Sequence, residues 1–155
     1  MQNSFSTIDI QAREWFDKIN GNSYFDCTVT FDFGLPTQRQ FLCPFQYGYG
    51  SAYETAAMKV IETVFPTMPA TFWKLRDAKV VIRTNKRENC LKRELFNPTV
   101  KQTRNLQKAG KSYYPFFETN QSGLPIWFAE FFNQTQYLKS LKNYQPCKDK
   151  NQSQP

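Results

Sequence analysis

Twelve lysines and arginines crowd the stretch from Lys74 to Lys111 and are opposed only by Asp77, Glu88 and Glu94, in a chain whose formal net charge is +7. They are Lys74, Arg76, Lys79, Arg83, Lys86, Arg87, Lys92, Arg93, Lys101, Arg104, Lys108 and Lys111. No acidic residue occurs between Glu94 and Glu118. Lys101, Arg104, Lys108 and Lys111 recur at three- and four-residue steps, which would line them up on one side of a helix. Like charges so arranged repel, and a polyanion would relieve the repulsion. A solvated lysine-rich face fits the same spacing without a ligand, and no signature of a common nucleic-acid-binding module accompanies it. Trp73, Phe96, Tyr113, Tyr114, Phe116 and Phe117 lie in or beside this run and could stack on unpaired bases. Loop packing or a protein interface is the favoured role for them. The residues expected to contact a partner or nucleic acid are Arg83, Lys86, Arg87, Lys92, Arg93, Lys101, Arg104, Lys108, Lys111, Tyr113, Tyr114 and Phe117.

The chain contains no histidine, which removes the commonest general base and the commonest metal ligand. Its four cysteines, Cys27, Cys43, Cys90 and Cys147, have neither zinc-site nor redox-dithiol spacing. Neither a metal nor a cofactor is therefore expected. Asp9, Asp26, Asp32 and Glu54 are the carboxylates placed on or beside the nucleus of three strands and a helix. Strands followed by a helix also begin the ribonuclease-H-like fold, but Lys79 to Thr84 ends without an acid, so a solubilising role for the four is favoured. The Gly48-Tyr49-Gly50 turn precedes a helix N-terminus, where anions bind. It lacks the lysine and glycine spacing of a phosphate loop, and turn geometry is the preferred reason for its glycines. No signal-peptide pattern and no bilayer-spanning apolar run is seen. The expected compartment is the cytoplasm, with reduced thiols, no membrane partner, and Cys27 and Cys43 free rather than bridged.

These residues need a scaffold, and 155 residues suit one domain. Ser6 to Ile10 reads as a strand, and Gln11 to Ile19 fits a continued strand or a short helix. Asn20-Gly21 is a hairpin signal. Tyr24 to Phe33 alternates, with Phe25, Cys27, Val29, Phe31 and Phe33 on one face. Arg39 to Phe45 gives a third strand, with Pro44 marking an edge or an end. Ser51 and Glu54 have capping-box spacing, and Tyr53, Ala56, Ala57, Val60, Ile61 and Val64 form the apolar stripe of a helix to Phe65. Lys79 to Thr84 is a candidate fourth strand, and Lys86 to Phe96 a helix with Asn85 and Glu88 at its start. A further helix begins at Asn97-Pro98 and ends at Gly110, a loop spans Ser112 to Leu124, and a last helix opens at Pro125. The expected class is α+β: a three- to four-stranded antiparallel sheet packed by a helix, with a basic helical C-terminal half. One domain over 1–144 would join an acidic, strand-rich half (1–65) to that basic half (66–144), with 145–155 a disordered tail.

Arg13 to Lys18, then Asn20-Gly21-Asn22-Ser23-Tyr24-Phe25, then Pro44-Phe45-Gln46-Tyr47-Gly48-Tyr49-Gly50 resemble a group of small phage- and prophage-encoded proteins. Those proteins share the tryptophan, the NGN-tyrosine hairpin and the PF-x-YGYG turn in this order. The resemblance covers Arg13 to Val64, with a weaker echo at Asn89 to Glu94. It implies a mobile-element setting and no catalytic residues, since the group has no established activity. Such proteins often bind and block host machinery, which makes a host protein or protein–RNA complex, for example a CRISPR RNA-guided nuclease, the partner the resemblance implies. The expected function is a non-enzymatic inhibitor with RNA or DNA contact in the host cytoplasm. The alternative is a free-standing nucleic-acid-binding accessory protein, and a metal-dependent nuclease ranks third.

Overall fold

The computed structural model describes residues 4–108, 110, 112–113 and 116–120. The expected helix from Pro125, the 145–155 tail, Lys111, Tyr114 and Cys147 lie outside them. The strands are β1 (Thr7–Asp17), β2 (Asn22–Phe31), β3 (Arg39–Tyr47), β4 (Val81–Arg87), β5 (Ser112–Tyr113) and β6 (Phe116–Thr119). The helices are α1 (Ala52–Val64), α2 (Phe72–Asp77) and α3 (Val100–Lys108), with a 3-10 turn at Lys92–Glu94. The fold is α+β, and none of its described helices is long and apolar enough to cross a membrane.

The sheet order is β4-β1-β2-β3-β6, with the two-residue β5 on the far edge. It is larger than the expected sheet and it is mixed, because β4 runs parallel to β1. A parallel neighbour cannot follow a tight turn, so the chain crosses from β3 to the opposite edge through α1 and α2. The basic half is accordingly not simply helical: it supplies both flanks of the sheet.

β1 and β2 form the expected hairpin, and β1 continues to Asp17 where the sequence left helix and strand open. Gly21 takes φ +71 and its N–H donates to the Asp17 carbonyl at 2.7 Å. The Asp17 carboxylate accepts from Ile19 N and from Asn20 Nδ2. β2 stops at Phe31 because Asp32 turns with φ +51, so Phe33 is exposed rather than part of the core face. Pro44 does not mark an edge strand, since β6 pairs with β3 at Gln40 to Leu42. It sits instead at a bulge, where Pro44 and Phe45 together oppose Asp26. At the turn before α1, Gly50 has φ +62. A Cβ on Gly48 would stand 2.6 Å from the Phe25 ring, so close approach as well as the turn demands glycine there.

One face of the sheet carries Ile8 and Ile10 from β1, Cys27, Val29 and Phe31 from β2, Phe41 and Cys43 from β3, and Phe116 from β6. Over them lie Ala56, Ala57, Val60 and Ile61 of α1, as the apolar stripe predicts, with Leu75 of α2. Phe5, Phe31 and Phe65 meet with centroids 4.7 to 5.0 Å apart, the tilted and edge-to-face geometry rings prefer. Cys27, Cys43 and Cys90 are free and buried. Contact with Cys43, followed by burial, pushes the Cys27 thiol up. Ser51 makes no side-chain cap on α1, so the expected box with Glu54 is absent. The equivalent box forms at α3, where Gln102 N donates to Thr99 Oγ1 and Thr99 N donates to Gln102 Oε1. Thr99, not Asn97, therefore starts that helix, and Gly110 follows its end with φ +68.

The expected helix from Lys86 to Phe96 is replaced by the end of β4 and the 3-10 turn. Sheet pairing wins over local propensity, since Lys86 and Arg87 are in register with Ala12 and Arg13. Asn89 then takes φ +58, and Cys90 N donates to the Glu14 carbonyl at 2.9 Å. In place of the expected Ser112 to Leu124 loop, the described residues form the β5–β6 hairpin.

Candidate partner-binding surfaces

The reverse face of the sheet sets a buried ion pair among aromatic and apolar side chains, including Leu42 and Phe117, where the first face is apolar throughout. Alternation puts Asp9, Arg13 and Trp15 of β1 there, in register with Thr30, Asp26 and Tyr24 of β2. Arg13 and Asp26 form a bidentate pair through Nε at 2.9 Å and through Nη2. Asp26 is only 1% exposed. Burial pushes its carboxyl above the ordinary value, against the pull of the Arg13 guanidinium and of a backbone donor. That donor is the Phe96 N–H at 2.9 Å, while the Phe96 carbonyl accepts from Phe45 N at 2.7 Å. The bulge frees the Phe45 N–H for this purpose. Phe96 is thus clamped at both polar groups to the back of the sheet, its ring edge-on to Phe117 at 6.3 Å. Cys90, Leu95 and Leu106 are buried as well. Asp26 is therefore an internal anchor, and the solubilising role expected of it does not hold.

Other ion pairs sort the expected contact residues. Arg83 pairs with Asp9 at 2.6 Å. Lys86 pairs with Glu14 and Glu88. Burial alone would lower its pKa, and the two carboxylates hold it above the ordinary lysine value. Arg87 pairs with Glu94 at 2.6 Å. These three cations have acidic partners within the fold, so the repulsion argued from sequence does not apply to them. Phe117 is buried in β6 and is a packing residue. Tyr113 falls in β5. What remains outward is the side of α3 that carries Lys101, Arg104 and Lys108, all exposed, while Leu106 of the same helix is fully buried. Among the described residues no carboxylate forms an ion pair with these three, nor with the exposed Arg93. α3 lies beside β5, near the sheet edge opposite β4.

Sequence reasoning passed over a second surface. Trp15, Tyr24 and Phe45 come from three adjacent strands. Tyr24 stacks on Phe45 at 4.9 Å and on Trp15 at 5.5 Å. Tyr47 meets Tyr24 edge-on at 5.9 Å, and Lys92 Nζ lies 5.2 Å from the Trp15 ring. The signal was present in the odd-numbered residues of β1, but it required the bulge to bring Phe45 onto the face of Tyr24.

The four carboxylates singled out from the sequence are engaged separately: Asp9 with Arg83, Asp26 with Arg13, and Asp32 with Ser6, Thr7 and Thr37. Glu54 receives the Tyr53 hydroxyl at 3.4 Å. Among the described residues no three His, Cys, Asp or Glu side chains converge as metal ligands would. No protein-family model, curated protein or solved structure matches the chain.

Proposed function

We propose that this protein is a non-catalytic binding protein of a phage or other mobile element that obstructs a nucleic-acid-handling complex of its host, such as a CRISPR RNA-guided nuclease. The observation that carries the anionic part of this reading is the contrast among its cations. Arg83, Lys86 and Arg87 are tied to carboxylates of the fold, whereas Lys101, Arg104 and Lys108 share one exposed side of α3 with no carboxylate partner among the described residues. Such a face attracts phosphates, and its spacing of about one helical turn per charge lets several act together. The mobile-element setting rests on the resemblance of residues 13–64.

The test uses a purified guide-RNA-loaded nuclease and the naked guide RNA side by side. The protein should bind the loaded complex, and Arg104→Glu with Lys108→Glu should weaken that binding by about tenfold or more while flattening its salt dependence. Tight, salt-sensitive binding to the naked RNA alone would favour a free-standing nucleic-acid-binding protein. An unchanged affinity in the double variant would remove α3 from the contact.

A further inference from the structure

Exposed large apolar side chains gather at the β1–β2 hairpin end. Ile19 at the turn is 93% exposed, Tyr47 62% and Leu91 52%, and they accompany the half-buried Trp15, Tyr24 and Phe45. Side chains of this kind grouped together, unlike single exposed ones, mark an interaction surface. Three exposed cations belong to the same end: Lys18 in the turn, Lys92 over the Trp15 ring and Arg93 beside it. One acid stands among them: the Asp17 carboxylate, which closes the turn on Asn20 Nδ2 and Ile19 N, keeps its charge and lies within reach of Lys92, so Lys18 and Arg93 remain in excess. Glu14 and Glu88 share Lys86, and Glu94 is held by Arg87.

We infer that the Trp15–Tyr24–Phe45–Tyr47 cluster, with Ile19, is a docking surface for a protein segment that brings an apolar side chain flanked by carboxylates. Charge complementarity gives the acidic flanks, set against Lys18, Lys92 and Arg93. The rings argue against unpaired bases. Trp15 and Phe45 stand two strands apart, about 9.6 Å by strand spacing, yet their centroids are 6.2 Å apart. They lean together over Tyr24, so ring faces that a base would need are spent on one another. The cations also argue against a second copy, because a two-fold interface would set each of them near its own like charges. Tyr and Trp are the side chains that most often dominate protein interfaces. This surface does not depend on α3, and the two can fail separately.

The experiment selects binders to the immobilised full chain from a random peptide display library. Recovered peptides should share an aromatic or branched apolar residue with aspartate or glutamate on either side. Their affinity should fall about tenfold or more for Tyr47→Ala and for Ile19→Asp, two exposed positions whose replacement leaves the core intact. Lys92→Glu should also weaken them, and Arg104→Glu with Lys108→Glu should not. A selection that yields no peptide, a consensus without acids, or affinity indifferent to Tyr47→Ala overturns the inference. So does oligouridine that competes for the patch, or a dimer in sedimentation that Tyr47→Ala dissolves.

Discussion

Under α1 the sheet buries Ile8, Val29, Phe31 and Phe41 against Val60 and Ile61, while on its reverse side the same strands bury Arg13 and Asp26 and clamp Phe96 with backbone hydrogen bonds. The apolar side tolerates rearrangement as long as volume and hydrophobicity are kept, because its attraction is non-directional. The ionic side has no such latitude. Asp26 is stabilised in its charged form only while Arg13 and the Phe96 N–H stay in place, and the penalty of burying charge leaves the pair a weak source of net stability. It is better understood as a register device: it fixes where Phe96, shortly before α3, meets the sheet.

The largest effect should come from breaking the apolar side. Val60 is fully buried, and Val60→Asp places a carboxylate there with no partner, which should cost about 4 kcal/mol or more. Thermal denaturation should show the variant largely unfolded, and an unchanged midpoint would take α1 out of the core. Next in size is the ionic side. Asp26→Asn leaves the Arg13 guanidinium buried without its counter-charge and should cost about 3–5 kcal/mol. Combining Arg13→Met with Asp26→Leu should recover most of that loss, since an apolar pair of similar size often replaces a buried ion pair at little cost. Urea titrations in which the double variant is as unstable as Asp26→Asn would show that the pair stabilises rather than positions.

A smaller effect is expected at Asp32, at the end of β2. Burial alone would raise its carboxyl, but the N–H groups of Ser6 and Thr7 and the hydroxyls of Ser6 and Thr37 outweigh burial and hold it below the ordinary value. A carboxylate depressed on folding contributes stability that is fully present above its unfolded pKa of about 3.9 and is lost as pH falls through the folded value. Asp32→Asn should therefore cost about 1–3 kcal/mol at neutral pH, and its deficit should shrink on acidification below that unfolded pKa. A deficit of constant size down the acid range would mean that shape, not charge, is what Asp32 supplies.

Much of the apolar side was legible before any coordinates. Ala56, Ala57, Val60 and Ile61 repeat at helical spacing, and Cys27, Val29 and Phe31 alternate, so each element announces its own buried face. The reverse side left no such trace. Asp26 and Arg13 stand in sequence where solvent-facing residues of a half-buried strand belong, and only a second layer over them turns exposed positions into buried ones. The site was legible in the same uneven way. The three- and four-residue steps of Lys101, Arg104 and Lys108 foretold a shared helical face, but Lys86 and Arg87 lost their predicted helix to pairing with β1, a partner some 70 residues distant in the chain.

Local periodicity by itself determined which residues of α1 and β2 turn inward, that the fold is α+β, and that Asn20-Gly21 joins two strands. These depend on side chains a few positions apart, whose geometry is fixed by the repeat of helix or strand. Tertiary structure alone decided that β4 runs parallel beside β1, that Phe45 joins Trp15 and Tyr24 across a bulge, and which of the described cations pair with carboxylates. Each of these is a contact between distant segments, and whether a lysine faces a carboxylate or solvent is settled only when the chain has closed those loops.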